Sequence, residues 1–504
     1  MRLKQTILAA LAVSGAAAAY ADSVSLPTSV HSPQSAPFNV FGDEVALATP
    51  TMCAVGARGA DGAGLNIGAV DTFDLKVDGW TFIERLQPSD LAAGDQFGES
   101  VAANGSWLAV GAARHDASGA DAGAVWVYRR QALNWRFPQK LLPGMGSDGA
   151  RFGTAIAISA SRIAVGAPGA SPAGAVSVFV LVGETWQLEQ TIVNPSPADG
   201  DRFGDAVAIE DGRLLIANPF EDNPATDRGA VFVYAFDGAA WQLESTLEPQ
   251  SGDDRQYFGA SISLKATRLA IGAYGADSTR GAGSAGKIEV YDLVGGAWSR
   301  SAEIFAPAPM AGGNFGWDVA LEQETMVVGE PGYGASVESL TGRAHLYARQ
   351  PSSQWELVAS IEATDPLAQD IFGSSVAISA GRVVVTAPGR DERRGALLTA
   401  DFTRDCDQDG VSDALQIALD PSLDCNGDLV PDACQPDSDG DGVPNLCDCR
   451  GDLNGDGFVG SADLAFVLTE WGNYGQGPAD ITGDLRVDAQ DITEVLFLWG
   501  PCGG

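Results

Sequence analysis

Three observations predict a mainly β chain: a seven-bladed β-propeller followed by a calcium-loop-rich segment and a small helical module. A Phe-Gly pair recurs seven times, four short strands fit between successive copies, and aspartates crowd the last hundred positions. The pairs start at Phe41, Phe97, Phe152, Phe203, Phe258, Phe315 and Phe372, 51 to 57 residues apart. Self-similarity at such a period marks a solenoid, propeller or array, because one unit cannot bury its own apolar face. Four β-rich segments per unit, with no helical period between them, select the propeller.

Within a unit the elements follow a fixed order. In the third copy a short apolar strand (Ala155 to Ile158) precedes the run Ile163-Ala164-Val165-Gly166-Ala167-Pro168. A Gly-led strand from Gly174 to Phe179 and a Trp-led strand from Trp186 to Ile192 complete it. The Val-Gly-Ala run returns at Val110 and, as Ile-Gly-Ala, at Ile271; the sixth copy reads Val328-Gly329-Glu330-Pro331. Copy four departs with Ile216-Ala217-Asn218-Pro219 and copy seven with Val385-Thr386-Ala387-Pro388. Small residues suit strands that converge on an axis, and each Phe can wedge between blades while its Gly admits a close backbone. Trp80, Trp135, Trp186, Trp241, Trp298 and Trp355 mark the fourth strand of six units. The seventh stops at Phe402 without one, whereas Val24-Ser25-Leu26-Pro27 precedes the first pair. That N-terminal strand is expected to complete the last blade and remove its open edge.

The phrase, carried seven times in register over residues 22–402, resembles the FG-GAP repeat of the integrin α-subunit head. The resemblance implies a seven-bladed propeller that presents loops to an extracellular protein or carbohydrate ligand. Integrin-type propellers also carry D-x-D-x-D-G calcium loops between blade strands. Arg58 to Gly68 has only Asp61 and Asn218 to Gly229 lacks the spacing, so no calcium site is carried over to the propeller.

Residues 1–21 read as a secretion signal: Arg2 and Lys4, the apolar stretch Ile7 to Ala19, then Ala19-Tyr20-Ala21 before Asp22. That stretch is short for a membrane span and no later run reaches its length, so none is expected. The net charge of −36 is uneven, with 19 Asp and two Glu against Arg450 and Arg486 from Asp405 onward. Such acidity argues against nucleic-acid or anionic-membrane partners. Cys53 stands alone in an apolar strand and is expected as a buried thiol. Cys406, Cys425, Cys434, Cys447, Cys449 and Cys502 all lie in the acidic tail. In an exported chain they suggest three disulfides. Fifteen connectivities are open and the sequence does not choose among them; Cys406–Cys425, Cys434–Cys447 and Cys449–Cys502 is the set taken as the expectation.

The spacing of the acidic residues points to Ca²⁺. Asp405, Asp407, Asp409 and Asp413 spell D-x-D-x-D-G-x-x-D; Asp437, Asp439, Asp441 and Asn445 repeat it, and Asp424, Asn426, Asp428 and Asp432 give a weaker copy. Short oxygen-bearing side chains at alternate positions converge on one hard cation. Residues 403–449 resemble thrombospondin type 3 calcium repeats. Further on, Asp452, Asn454, Asp456 and Asp463 occupy positions 1, 3, 5 and 12 of a calcium loop. Asp480, Thr482, Asp484, Asp488 and Asp491 occupy 1, 3, 5, 9 and 12 of a second. Phe458 and Arg486 fall at position 7, which ligates through its carbonyl. Leu464, Val467, Leu468, Trp471 and Ile492, Val495, Leu496, Trp499 predict an apolar-faced helix after each loop. Loop and helix repeat at an offset of 28 residues, and Trp-Gly ends both copies.

Residues 450–504 resemble a type I dockerin, a paired loop–helix module, which implies a cohesin-like partner. Positions 10 and 11 of the loops, commonly the partner contacts in dockerins, are Ser461-Ala462 and Ala489-Gln490. Leu485 stands where the loop favours a left-handed Gly, and Thr482 replaces Asp or Asn, so the second site is expected to be weaker.

No catalytic constellation is visible: His31, His115 and His345 sit in no Ser/His/Asp or zinc-spaced motif. Asp95, Asp201, Asp254 and Glu330 could serve as glycosidase carboxylates, but they occupy loops where polar residues are ordinary. The expectation is a secreted, non-catalytic calcium-binding protein with a monomeric propeller and a docking or anchoring tail. A polysaccharide-degrading component and a structural cell-surface protein are the alternatives.

Overall fold

The computed structural model describes residues 23–24 and 28–403, apart from 77–78, 145–147, 211, 223–224, 251–253, 279–280, 335–338, 350–352 and 364. In the tail it describes residues 453, 458–472, 479, 486–497 and 499–501. The signal segment, all six tail cysteines and the calcium-loop residues from Asp405 to Asn445 lie outside the described residues, as do Asp452, Asn454, Asp456, Asp480, Thr482 and Asp484. The chain divides into two compact units, residues 1–404 and 405–504.

The first unit is a seven-bladed propeller of antiparallel sheets. The inner strands are Phe41–Thr49, Ser100–Asn104, Ile156–Ile158, Ala206–Glu210, Ser261–Lys265, Val319–Glu322 and Val376–Ser379. Each neighbours the next, and the last returns to the first, so they form the wall around the axis. Blade three continues outward through Arg162–Ala167, Ala175–Val182 and Thr185–Val193. The six tryptophans of the repeat all lie on the outermost strands, as expected. Blade seven takes its outer edge from the N-terminus: Ser23–Val24 pairs with Thr403 and Phe402, and Thr28–Val30 with Thr399, Leu398 and Leu397. The ring therefore closes on hydrogen bonds between the two ends of the propeller, leaving blade seven with a paired edge.

The seven Phe rings are completely buried and hold neighbouring blades together. Gly68, Gly123, Gly174, Gly286 and Gly342 each form a parallel bridge to the Phe of the following blade. A Cβ on Gly68 would stand 2.1 Å from the Phe97 carbonyl oxygen, so no other residue fits there. One sequence reading needs correcting. The small residue of the Val-Gly-Ala run does not face the axis, which is lined by the inner strands. Instead it receives the Gly of the next Phe-Gly pair: a Cβ on Gly56, Gly111, Gly166, Gly272 or Gly329 would come within 2.2 Å of that residue's oxygen. Ala217 and Thr386 hold this position in the two departing copies, and a Cβ on the facing Gly259 or Gly42 would lie 3.0 or 3.1 Å from their Cβ atoms.

A second inter-blade contact runs along the rim. Arg382, Arg162, Arg213 and Arg268 each open a second strand and place a guanidinium 5.6 to 5.9 Å from the Trp of the following blade: Trp80, Trp241, Trp298 and Trp355. In blade two the place is taken by Trp107, whose ring meets Trp186 edge-on at 5.3 Å. Cys53 is buried in blade one, as expected, and burial pushes its thiol pKa up.

In the tail unit, helices α1 (Ser461–Thr469) and α2 (Ala489–Phe497) follow the two loops. Val467 and Val495 are fully buried with Val459, Ala479 and Val487. The expected apolar faces are only half buried: Leu464 and Ile492 pack against this cluster, while Leu468, Trp471, Leu496 and Trp499 are exposed. Gly472 ends the first copy in a left-handed conformation. Its counterpart Gly500 instead pairs with Val459, and Pro501 with Phe458.

Candidate functional site: the axial mouth of the propeller

The third and fourth residues of each phrase, counting its Phe as the first, surround the axis. At the third position the blades carry Asp43, Glu99, Thr154, Asp205, Ala260, Trp317 and Ser374; at the fourth, Glu44, Ser100, Ala155, Ala206, Ser261, Asp318 and Ser375. A cavity of about 450 Å³ is lined by residues from all seven blades, which places it on the axis. A second, of about 970 Å³, shares Glu44, Thr154, Trp317 and Ser374 with it and extends toward Asp43, Arg58 and Arg393. The two form one mouth on the Phe-Gly side.

Several polar groups here stitch blades together. Ser100 Oγ donates to the Gly153 carbonyl at 2.6 Å and Ser261 Oγ to that of Gly316 at 3.0 Å. Asp318 accepts the amides of Val319 and Val376, each at 2.8 Å. Ser375 Oγ donates to Glu44 at 3.4 Å. Asp43 meets Arg58 at 3.1 Å and Asp205 meets Arg202 at 2.6 Å. Burial is the main cause that raises the pKa values of all four carboxyls, Asp43 to about 6, with Asp318 adding to the effect on Glu44.

One side of the mouth is aromatic. Tyr257 stacks on Tyr274 at 5.0 Å with 19° between the planes, and Tyr274 meets Trp317 at 4.8 Å. Phe220 meets Tyr257 edge-on at 5.5 Å and carries the Arg202 guanidinium 5.2 Å from its centroid. Gly275 makes room for the row, since a Cβ there would meet the Tyr257 ring at 2.6 Å. Trp317 is 44 % exposed although it follows a fully buried Phe-Gly pair. Sequence reasoning passed over Trp317 and Tyr274. The available signal was register: Trp317 is the single aromatic at a position otherwise held by small or acidic residues.

The carboxylates weighed as glycosidase candidates have structural partners. Asp95 accepts the amide of Ala92, Asp201 those of Ala198 and the Asn194 side chain, and Asp254 that of Thr226. Asp61, Asp116, Asp222 and Asp277 likewise each brace their own loop through one backbone amide. Glu330 is buried in blade six, where its Oε2 accepts from Arg343 at 2.6 Å and lies 2.7 Å from His345 Nε2. His345 lies on the strand Arg343–Arg349, and its Nδ1 is 3.0 Å from Ser360 Oγ. A Ser–His–Glu row thus exists that the sequence did not reveal, because its members come from three different strands. Burial holds the imidazole pKa below its usual value, and the row lines neither cavity at the mouth.

Of the predicted calcium ligands, Phe458, Asp463, Arg486, Asp488 and Asp491 are described. Asp463 and Asp491, the position-12 pair, are both fully buried. Asp463 accepts the amides of Gly460 at 2.8 Å and Leu453 at 2.9 Å; Asp491 accepts that of Asp488 at 2.8 Å. Both thus reach three residues back to close the end of the loop, so the copies agree in geometry as well as spacing. Among the described residues no group of three or more His, Cys, Asp or Glu is arranged to hold a metal.

The fold and its mouth define a repeat-built β-propeller. The family model described as FG-GAP repeat matches residues 80–128, 135–179, 186–234, 241–290, 298–347 and 355–397, together more than half of the chain. The chain belongs to the FG-GAP repeat family. No curated protein matches it. Among solved structures, it is similar to a protein of Bacteroides uniformis described provisionally as a 6-phosphogluconolactonase, at 12% identity and a TM-score of 0.44, covering 64% of this chain and 86% of that one. A counterpart from Bacteroides fragilis, described in the same way, gives 10% identity and a TM-score of 0.43, covering 64% and 85%. No helix among the described residues is long and apolar enough to cross a membrane.

Proposed function

We propose that this protein is exported and acts as a non-catalytic binding protein, with the axial mouth as its ligand site. The observation that carries this reading is one mouth, lined by all seven blades, that combines an aromatic row ending in the exposed Trp317 with ion-paired polar groups. Such a mixture suits recognition of a small group entering a largely pre-formed concave site. FG-GAP membership supports an extracellular setting, and so do the leader-like first 21 residues. The tail acts as a calcium-folded docking or anchoring module, with a cohesin-like protein as the partner its spacing implies. Calcium would supply the attraction that draws together loops of otherwise repelling carboxylates, with Asp463 and Asp491 closing them.

Retention of the full chain on immobilised extracellular polysaccharides and secreted proteins tests this reading. Wild type should be retained on at least one, and a Trp317→Ala/Asp205→Ala variant should not. Equal retention of both would overturn the site. Steady release of product, abolished by one carboxylate substitution, would overturn the non-catalytic assignment.

A further inference from the structure

We infer that the axial mouth binds a neutral saccharide, one sugar ring lying against Trp317 and Tyr274 with its hydroxyls on Arg202 and Asp205. The inference deepens the binding role proposed above and rests on it. The cavity of about 450 Å³ falls inside the usual range for small-ligand sites, about 300–1,000 Å³. Its aromatic wall is exposed where it matters. Trp317 offers a ring to the cavity, and Tyr274, itself stacked on Tyr257, holds the adjoining ring in place.

Sugar rings present one face of C–H groups, which suits an aromatic plane, and a rim of hydroxyls that both donate and accept. Arg202 and Asp205 supply both complements side by side: a guanidinium with donors and a carboxylate with acceptors, fixed by their 2.6 Å contact. Asp43 and Arg58 repeat the combination across the mouth.

The same walls argue against two other ligand classes. Phosphorylated, sulfated or uronate-rich ligands would meet Asp43, Glu44, Glu99, Asp205 and Asp318 against few cations. An organic cation is the stronger rival, since aromatic rings and carboxylates attract one. However, four of these five carboxylates are already engaged from inside, Asp205 by Arg202, Asp43 by Arg58, Asp318 by two amides and Glu44 by Ser375, and the buried Oε2 of Glu99 alone has no hydrogen-bond partner among the described residues. What the mouth offers a newcomer is a field of polar pairs, matching hydroxyls better than an ammonium group.

The test is calorimetric titration of the full chain, in calcium, with neutral oligosaccharides built on glucose, mannose, xylose or galactose, and with spermidine and a Lys-rich peptide as cationic probes. At least one saccharide should bind. Trp317→Ala should weaken it about tenfold or more, as loss of roughly 1.4 kcal/mol of stacking would. Because Trp317 is half exposed, its variant should unfold at the wild-type temperature, and Asp205→Asn should weaken binding independently. Binding of the cationic probes alone, lost in Trp317→Ala, would overturn the saccharide assignment and leave the mouth as the ligand site. Saccharide binding that is indifferent to both substitutions would overturn the mouth itself. Silence from every saccharide would sink the inference even if a protein ligand is retained.

Discussion

Two glycines show at the residue scale how tightly the repeat constrains the chain. Gly68 and Gly94 both have left-handed backbones, at φ +87° and +91°. Only Gly68 has another blade against its Cα; a Cβ on Gly94 would meet nothing within 4 Å. Gly94→Ala should therefore cost about 1 kcal/mol, the backbone penalty alone, whereas Gly68→Ala should cost about 3 kcal/mol or more because blades one and two must separate. Urea unfolding of both variants separates the terms, and equal losses would contradict the close-approach account. Asp43 gives a pH prediction. Burial pushes its pKa up to about 6, with Glu99 adding to the effect and Arg58 opposing it. The folded chain then holds this proton more tightly than the unfolded chain does. The group's contribution is complete below its unfolded pKa of about 4 and is lost as pH rises through about 6. Asp43→Asn keeps a neutral side chain throughout, so its stability relative to wild type should grow from pH 4 to 6 and then level off. A flat difference across that range would show that Asp43 titrates normally.

The strands were legible element by element where apolar and β-branched residues alternate, and the Phe-Gly period set their order. The N-terminal strand was legible too, because the last unit visibly lacked one. Less legible was what each small residue faces. Gly56 and its equivalents looked axial, yet they receive the next blade, since spacing along the chain does not say which surface a neighbour covers. Trp317 escaped notice because only the three-dimensional register brings it beside Tyr274, 43 residues earlier in the chain. The Arg-over-Trp contacts escaped for the same reason. At this scale Arg162→Met should cost about 1–2 kcal/mol, because it removes both the contact with Trp241 and the paired bonds to Glu189 at 2.8 and 2.9 Å. Thermal unfolding at unchanged temperature would deny the contact a role. Deleting residues 22–30 should lower the unfolding temperature more, since blade seven then keeps an open edge along Ala396–Thr403.

Across the whole molecule, a ring closed by its own ends is joined in sequence to a tail whose acidity requires counter-charge. Calcium should therefore act on the tail and leave the propeller's unfolding unchanged. In the full chain, Asp452→Ala should remove the tighter of two calcium transitions reported by tryptophan fluorescence, and Asp480→Ala the weaker. Two equal transitions, or none, would contradict the paired-loop reading of residues 450–504. The proposed function assigns ligand binding to one axial mouth rather than to the rim. Hydrogen exchange of the full chain, compared with and without the tightest-binding oligosaccharide, tests that claim most directly. Protection should concentrate in the segments just after Phe41, Phe203, Phe258 and Phe315 and around Tyr274. Protection confined to the outer strands, or to the tail, would contradict it.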